Sequence, residues 1–157
     1  MSENQPVVFF GCSMRGGCGA VSQDELRSIQ ESIETKLGFQ LATKHQTQPG
    51  IVSQEIMLAP TEVHDREYER IFRSDVCIFE ISNPSLGVGS EISDALHHGK
   101  PVLCLWSTRV DPDKISGYTR GKKGSQFVQP LMDCKIYDDP DDALFLIKEF
   151  VERHSNP

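Results

Sequence analysis

The sequence predicts an α/β fold: a single-domain, doubly wound, five-stranded parallel sheet flanked by helices. Short apolar runs rich in β-formers alternate with segments of helical periodicity. Residues 76–106 read strand, glycine loop, helix, strand, which is a βαβ unit and implies a right-handed crossover. Glycine-rich loops follow two of the apolar runs, where an open α/β sheet keeps its ligand crevice.

The first run is Val7-Val8-Phe9-Phe10, a central strand opening into Gly11-Cys12-Ser13-Met14-Arg15-Gly16-Gly17-Cys18-Gly19. Glycines with a hydroxyl and an arginine among them suit a loop that wraps an anion with backbone N–H groups. A surface turn is the simpler reading, and neither a Walker loop nor a GxGxxG fingerprint is present. Ser22-Gln23-Asp24-Glu25 is a capping box. Leu26, Ile29, Ile33 and Leu37 follow at helical spacing and end at Gly38. Residues 39–43 alternate apolar and polar as a second strand, and residues 44–59 read as a long, mobile loop. Pro60-Thr61 starts the next helix with Thr61 as its cap, and Val63, Ile71 and Phe72 supply apolar contacts. Asp65 and Glu67 on that helix are two apart, so at most one can face a shared site. For each acid alone, a solvated helix face is favoured.

Val76-Cys77-Ile78-Phe79-Glu80-Ile81 reads as a strand buried on both faces. Pro84, Gly87 and Gly89 mark the loop after it, and Glu91 falls in the first turn of the following helix, which stops at Gly99. Residues 102–106 form the fourth strand. Residues 107–124 carry Arg109, Lys114, Ser116, Arg120, Lys122 and Lys123, either a solubilising loop or else a lid or a phosphate clamp that contacts a second subunit. Lys135-Ile136-Tyr137 is the last strand, and Asp139-Pro140 caps a helix packed by Leu144, Ile147, Phe150 and Val151.

The common strand order 2-1-3-4-5, Rossmann-like and of the flavodoxin type, makes the first and third strands neighbours at the switch point. The loops at residues 13–17 and 82–89 then converge on one crevice, with Glu91 at its edge. That convergence turns Glu91 from a solvated helix-start acid into a candidate catalytic carboxylate.

A length of 157 residues suits one domain over 1–157, with 1–6 and 154–157 expected as mobile tails. A net charge of −7 argues against a broad nucleic-acid-binding face. No apolar run would span a membrane, and the first residues lack the basic and apolar regions of a secretory leader. The five cysteines, Cys12, Cys18, Cys77, Cys104 and Cys134, form no CxxC pair, and two lie in core strands. Reduced thiols and a cytoplasmic location, with the nucleus as a further compartment, are therefore expected.

At the residues of the crevice the chain resembles the 2'-deoxynucleoside 5'-phosphate N-hydrolases of the nucleoside 2-deoxyribosyltransferase superfamily. Phe9-Phe10-Gly11-Cys12-Ser13-Met14-Arg15-Gly16-Gly17 is similar to the family's Tyr-Phe-Gly-Ser-Ile-Arg-Gly-Gly pattern. Pro84-Ser85-Leu86-Gly87-Val88-Gly89-Ser90-Glu91 resembles its Pro-Ser-Leu-Gly-Val-Gly-Tyr-Glu. Residues 99–105 and 115–121 resemble its Gly-Lys-Pro-Ile-Leu-Cys-Leu and Leu-Ser-Ala-Met-Ile-Arg-Gly.

The resemblance implies hydrolysis of the N-glycosidic bond of a nucleoside 5'-monophosphate through a glycosyl-enzyme intermediate on Glu91. It implies Glu67 as the acid that assists base departure, with Asp65 in reserve. Phe9, Cys12, Ser13, Met14, Arg15, Gly16, Ser85, Gly87 and Gly89 would hold the substrate, and Ser116 would reach its phosphate from the partner of a homodimer. No metal or cofactor is expected, because charge develops on sugar and base. Phe9 stands where the family has tyrosine, as related ribonucleotide N-glycosidases do, so some ribonucleotide activity is expected. The rival readings are a nucleoside 2-deoxyribosyltransferase, a CMP-type ribonucleotide N-glycosidase and a non-catalytic nucleotide-binding module.

Overall fold

A computed structural model describes residues 5–14, 20–44, 48–110 and 132–155. The strands are β1 (Val7–Cys12), β2 (Gln40–Leu41), β3 (Val76–Glu80), β4 (Val102–Ser107) and β5 (Met132–Tyr137). Between and after them run α1 (Gln23–Thr35), α2 (Ile51–Glu55), α3 (Pro60–Arg73), α4 (Leu86–His97) and α5 (Pro140–Ser155). Every pairing is parallel, in the order β2-β1-β3-β4-β5, as the sequence predicts.

Parallel strands with helices on both faces need apolar side chains on both faces. Val8, Phe10, Val76, Ile78, Leu103 and Leu105 pack beneath α1 and α5. Their neighbours Phe9, Cys77, Phe79, Val102 and Cys104 pack on the other face with Ile71 of α3 and with Val88, Ile92 and Ala95 of α4. The helix carrying Glu91 is thereby pinned over β1, β3 and β4.

Several boundaries differ from those read in the sequence. β2 shrinks to Gln40–Leu41 because the buried Thr43 replaces further ladder bonds. Its hydroxyl donates to the carbonyl of Phe10 at 2.7 Å and accepts from the Phe10 N–H at 3.1 Å. The stretch 44–59 is not loop throughout: α2 forms there, entered through Gly50 at φ 80°. Thr61 is not the cap of α3. Pro60 takes the first helical position, so Ala59 precedes it, and the Glu62 carboxylate accepts the Ala59 N–H at 2.7 Å. Phe72 is 57% exposed rather than a core contact, its ring edge-on to His98. α5 runs to Ser155, with His154 against the Phe150 ring.

The cap of α1 is as expected, with Ser22 and Glu25 forming a complete capping box. Asp139 caps α5 by accepting the Asp142 N–H at 2.9 Å. Cys12, Cys77, Cys104 and Cys134 are free thiols. Among the described residues no helix is long and apolar enough to cross a membrane.

Candidate active site

The register of β1 on β3 pairs Gly11 with Phe79 and Cys12 with Glu80, so the loops leaving these strands start side by side. Gly11 is the point of close approach. A Cβ built there would lie 2.7 Å from the Phe79 ring and 2.9 Å from Oε2 of Glu91. Any larger residue at position 11 would have to displace the carboxylate, so this glycine makes room for it. Glu91 thus sits against the end of β1, at the switch point.

The expectation that Glu91 lies in the first turn of its helix is corrected. Ser85 is the N-cap, its hydroxyl accepting the Val88 N–H at 3.3 Å, and α4 begins at Leu86. Gly87 and Gly89 are therefore helical, and Glu91 is in the second turn. A Cβ at Gly89 would meet nothing within 4 Å, so packing within the chain does not require glycine there.

Burial pushes the Glu91 carboxyl up from its ordinary 4.5 to about 8, and the negative charges of Glu67, Asp94 and Glu55 add to the effect. A carboxyl that shares its pocket with other carboxylates holds its proton more tightly than one in water. A carboxyl shifted by burial together with specific charge partners is a candidate for a functional role.

Of the two candidate acids on α3, Asp65 and Glu67, only Glu67 is buried toward this site. Glu67 is 7% exposed and close enough for its charge to act on Glu91. Its Oε1 accepts from Arg66 Nε and from Arg70 Nη1, each at 2.8 Å. Asp65 has 80% of its side chain in solvent, its carboxylate 3.1 Å from Nδ1 of the neighbouring His64. Arg66 also reaches Glu55 of α2, whose side chain is 10% exposed. Glu55 joins the acidic side of the site from a stretch whose sequence gives no pattern.

Ser13 is buried, and its carbonyl accepts from Gln23 Nε2 at 2.9 Å, which fixes the start of the glycine loop against α1. Met14 is half-buried beside it. Cys12 is buried, and its thiol is pushed up to about 12 by burial and by Glu80 and Glu91, so it is a protonated side chain and no nucleophile. Phe9 is wholly buried, its ring 5.6 Å from that of Phe79, in the apolar cluster that α4 covers. Ser85 is half-buried and Gly87 exposed at the start of α4. Arg15, Gly16 and Ser116 lie outside the described residues.

Sequence reasoning passed over Glu80, which ends β3 and is 1% exposed. The available signal was an acid closing an otherwise apolar run at the carboxyl end of a central strand. Arg109, read as part of a basic segment, is committed to Glu25 of α1 through contacts of 2.9 and 3.1 Å.

No protein-family model matches the chain. A protein of Nematostella vectensis that carries a 2'-deoxynucleoside 5'-phosphate N-hydrolase name is 32% identical, over 85% of this chain and 88% of its own. The chain belongs to the 2'-deoxynucleoside 5'-phosphate N-hydrolase family. A second member, from Thermofilum pendens, is 31% identical over 87% of this chain and 89% of its own. The human 5-hydroxymethyl-dUMP N-hydrolase is 30% identical over 87% of this chain and 82% of its own. Among solved structures, a Clostridium botulinum CMP N-glycosidase superposes with a TM-score of 0.59 at 18% identity, covering 92% of this chain and 98% of that one. The molybdenum cofactor carrier protein of Chlamydomonas reinhardtii gives 0.53 at 16% identity, covering 94% and 99%. These two likenesses show the fold, and their differing names illustrate that the fold alone does not choose the chemistry.

Proposed function

We propose that this N-hydrolase family member cleaves the N-glycosidic bond of 2'-deoxynucleoside 5'-monophosphates, releasing free base and 2-deoxyribose 5-phosphate. The observation that carries the reading is the seat of Glu91, a partly buried carboxylate packed against Gly11 at the switch point and facing the charge of Glu67. In the reaction the Glu91 carboxylate attacks C1' as the bond to the base loosens, forming a glycosyl-enzyme ester. Glu67 takes up a proton as the substrate binds and donates it to the departing base. Water then attacks C1', with Glu67 taking its proton, and the ester breaks to free the sugar phosphate and restore Glu91. Arg66 and Arg70 hold Glu67 in place for both steps.

The glycine loop with Ser13 and Arg15, and the start of α4 with Ser85, Gly87 and Gly89, would receive the sugar and phosphate, supported by backbone N–H groups at helix starts. Ser116 would complete the phosphate site from the partner of a homodimer in the cytoplasm or nucleus. Phe9 is proposed as the floor of the sugar pocket. Its ring lacks the hydroxyl of the family's tyrosine, so ribonucleotides should be cleaved slowly rather than excluded, because an apolar pocket rejects an added hydroxyl only by about a hundredfold.

A panel of ribo- and deoxyribonucleoside monophosphates and the matching unphosphorylated nucleosides, with released base followed by chromatography, tests the reading. Base should be released fastest from deoxynucleoside monophosphates, with kcat/KM at least about tenfold above that of the nucleosides, as one charge-assisted phosphate contact gives. Equal cleavage of nucleosides, or transfer of the sugar to a second base, would favour a deoxyribosyltransferase. No base from any member of the panel would favour a binding module.

A further inference from the structure

Glu80 shares its sheet face with Val76 and Ile78, beneath α1 and α5, and so lies across the sheet from the face that carries Glu91. Its carboxyl group accepts from the Ser82 hydroxyl, from the Ser82 backbone N–H at 3.3 Å, and from the Tyr137 hydroxyl at 3.0 Å. The Ser82 hydroxyl in turn accepts the backbone N–H of Ser107 at 2.8 Å. The Ser107 hydroxyl accepts from Arg109 Nε at 3.0 Å, and Arg109 continues to Glu25 on α1. One residue beyond Ser82, the buried Asn83 donates through Nδ2 to the carbonyl of Val21 at 3.0 Å, just past the glycine loop.

The carboxyl group of Glu80 therefore stands where the chain leaves β3, tied to the end of β4 through Ser82 and Ser107 and to the end of β5 through Tyr137. Burying a carboxyl here is costly, and an aliphatic side chain would fill the space without that cost. What the carboxyl adds is direction. Its bonds to Ser82 set the angle at which the chain leaves β3, and Ser85, three residues on, caps the helix that bears Glu91.

We propose that Glu80 is the positioning residue of the site, holding the connection at residues 82–85 so that α4 presents Glu91 to the sugar. This rests on the N-hydrolase reading above. The groups that face Glu80 are Tyr137 on β5, Arg109 beyond β4 and Cys12 on β1. Burial pushes its own carboxyl up to about 7, against the opposing pull of its hydroxyl partners.

The experiment measures kcat and KM for base release from deoxynucleoside monophosphates, from about pH 5.5 to about pH 9, in wild type, Glu80→Gln and Ser82→Ala. Thermal unfolding is recorded alongside. Both variants are expected to lose about tenfold or more in kcat with KM changed much less, as when a reacting group is misplaced rather than a binding contact removed. Glu80→Gln should also lose the inflection near neutrality and keep only the limb that belongs to Glu91. Ser82→Ala, which leaves the Glu80 carboxyl in place, serves if Glu80→Gln fails to fold. Wild-type kcat and an unchanged pH profile in either variant would overturn the role of Glu80 alone. A wild-type protein inactive on every monophosphate would overturn it together with the proposed activity.

Discussion

Glu91→Gln is expected to lower kcat for base release by about a thousandfold or more while leaving the fold intact. An amide is a poor nucleophile toward C1' and a poor counter-charge for an oxocarbenium-like state, and a covalent catalyst leaves little activity when removed. The substitution is nearly isosteric, so the close approach to Gly11 should survive. Steady-state rates on one deoxynucleoside monophosphate suffice for the check. Activity within about tenfold of wild type would end the nucleophile assignment.

The same variant carries a stability signature whose sign is fixed by burial. The Glu91 carboxyl sits at about 8 in the folded chain against an ordinary 4.5. A group raised in this way contributes stability that is complete below its unfolded value and is lost as pH rises through the folded one. Wild type should therefore lose stability between about pH 4.5 and about pH 8 through this residue, while Glu91→Gln should not. Melting temperatures should match near pH 4.5 and diverge by a few degrees in favour of the variant near pH 8.5. The catalytic consequence runs the other way. Because the proposed attack needs the ionised carboxylate, kcat/KM of the wild type should climb with pH toward 8.

Glu67→Gln is expected to cost about a hundredfold or more in kcat/KM, the usual worth of a general acid. The size of the loss should depend on the base. A uracil nucleotide, whose base leaves poorly without a proton, should suffer most. A 5-fluorouracil nucleotide, whose base leaves more easily as an anion, should suffer less. Asp65→Asn should change either rate by no more than about twofold, since that carboxylate faces solvent. Equal losses on the two nucleotides would mean that Glu67 has another task, such as placing Arg66 and Arg70. A large loss in Asp65→Asn would move the acid role to the neighbouring position.

The sheet order was legible because strands buried on both faces leave unbroken apolar runs, and Val7–Cys12 and Val76–Glu80 are of this kind. The place of Glu91 was legible for the same reason, since loops at the ends of neighbouring parallel strands must meet. That Glu67 rather than Asp65 would be buried was also written in the chain: Val63, Glu67 and Ile71 fall on one helical stripe, and Asp65 falls opposite. Less could be read where side chains stand in for backbone. Thr43 bonds both polar groups of Phe10 and so ends β2 early, which no alternation pattern reveals. Thr61 looked like a cap by residue type, yet the fixed φ of Pro60 set the helix start one residue earlier. Glu55 and Glu80 escaped because their importance lies in partners distant in sequence, Arg66 for the one and Tyr137 for the other.

The central claim is that the carboxylate of Glu91 attacks C1' of a nucleoside monophosphate, and the stereochemistry of the product tests it most directly. Wild-type protein turning over a deoxynucleoside monophosphate in dilute methanol should give free base and a methyl glycoside 5-phosphate whose configuration is read by proton NMR. Two displacements at C1', the first by Glu91 and the second by methanol, predict the β-anomer, with the configuration of the substrate retained. The α-anomer would show a single direct displacement by solvent and would contradict the account.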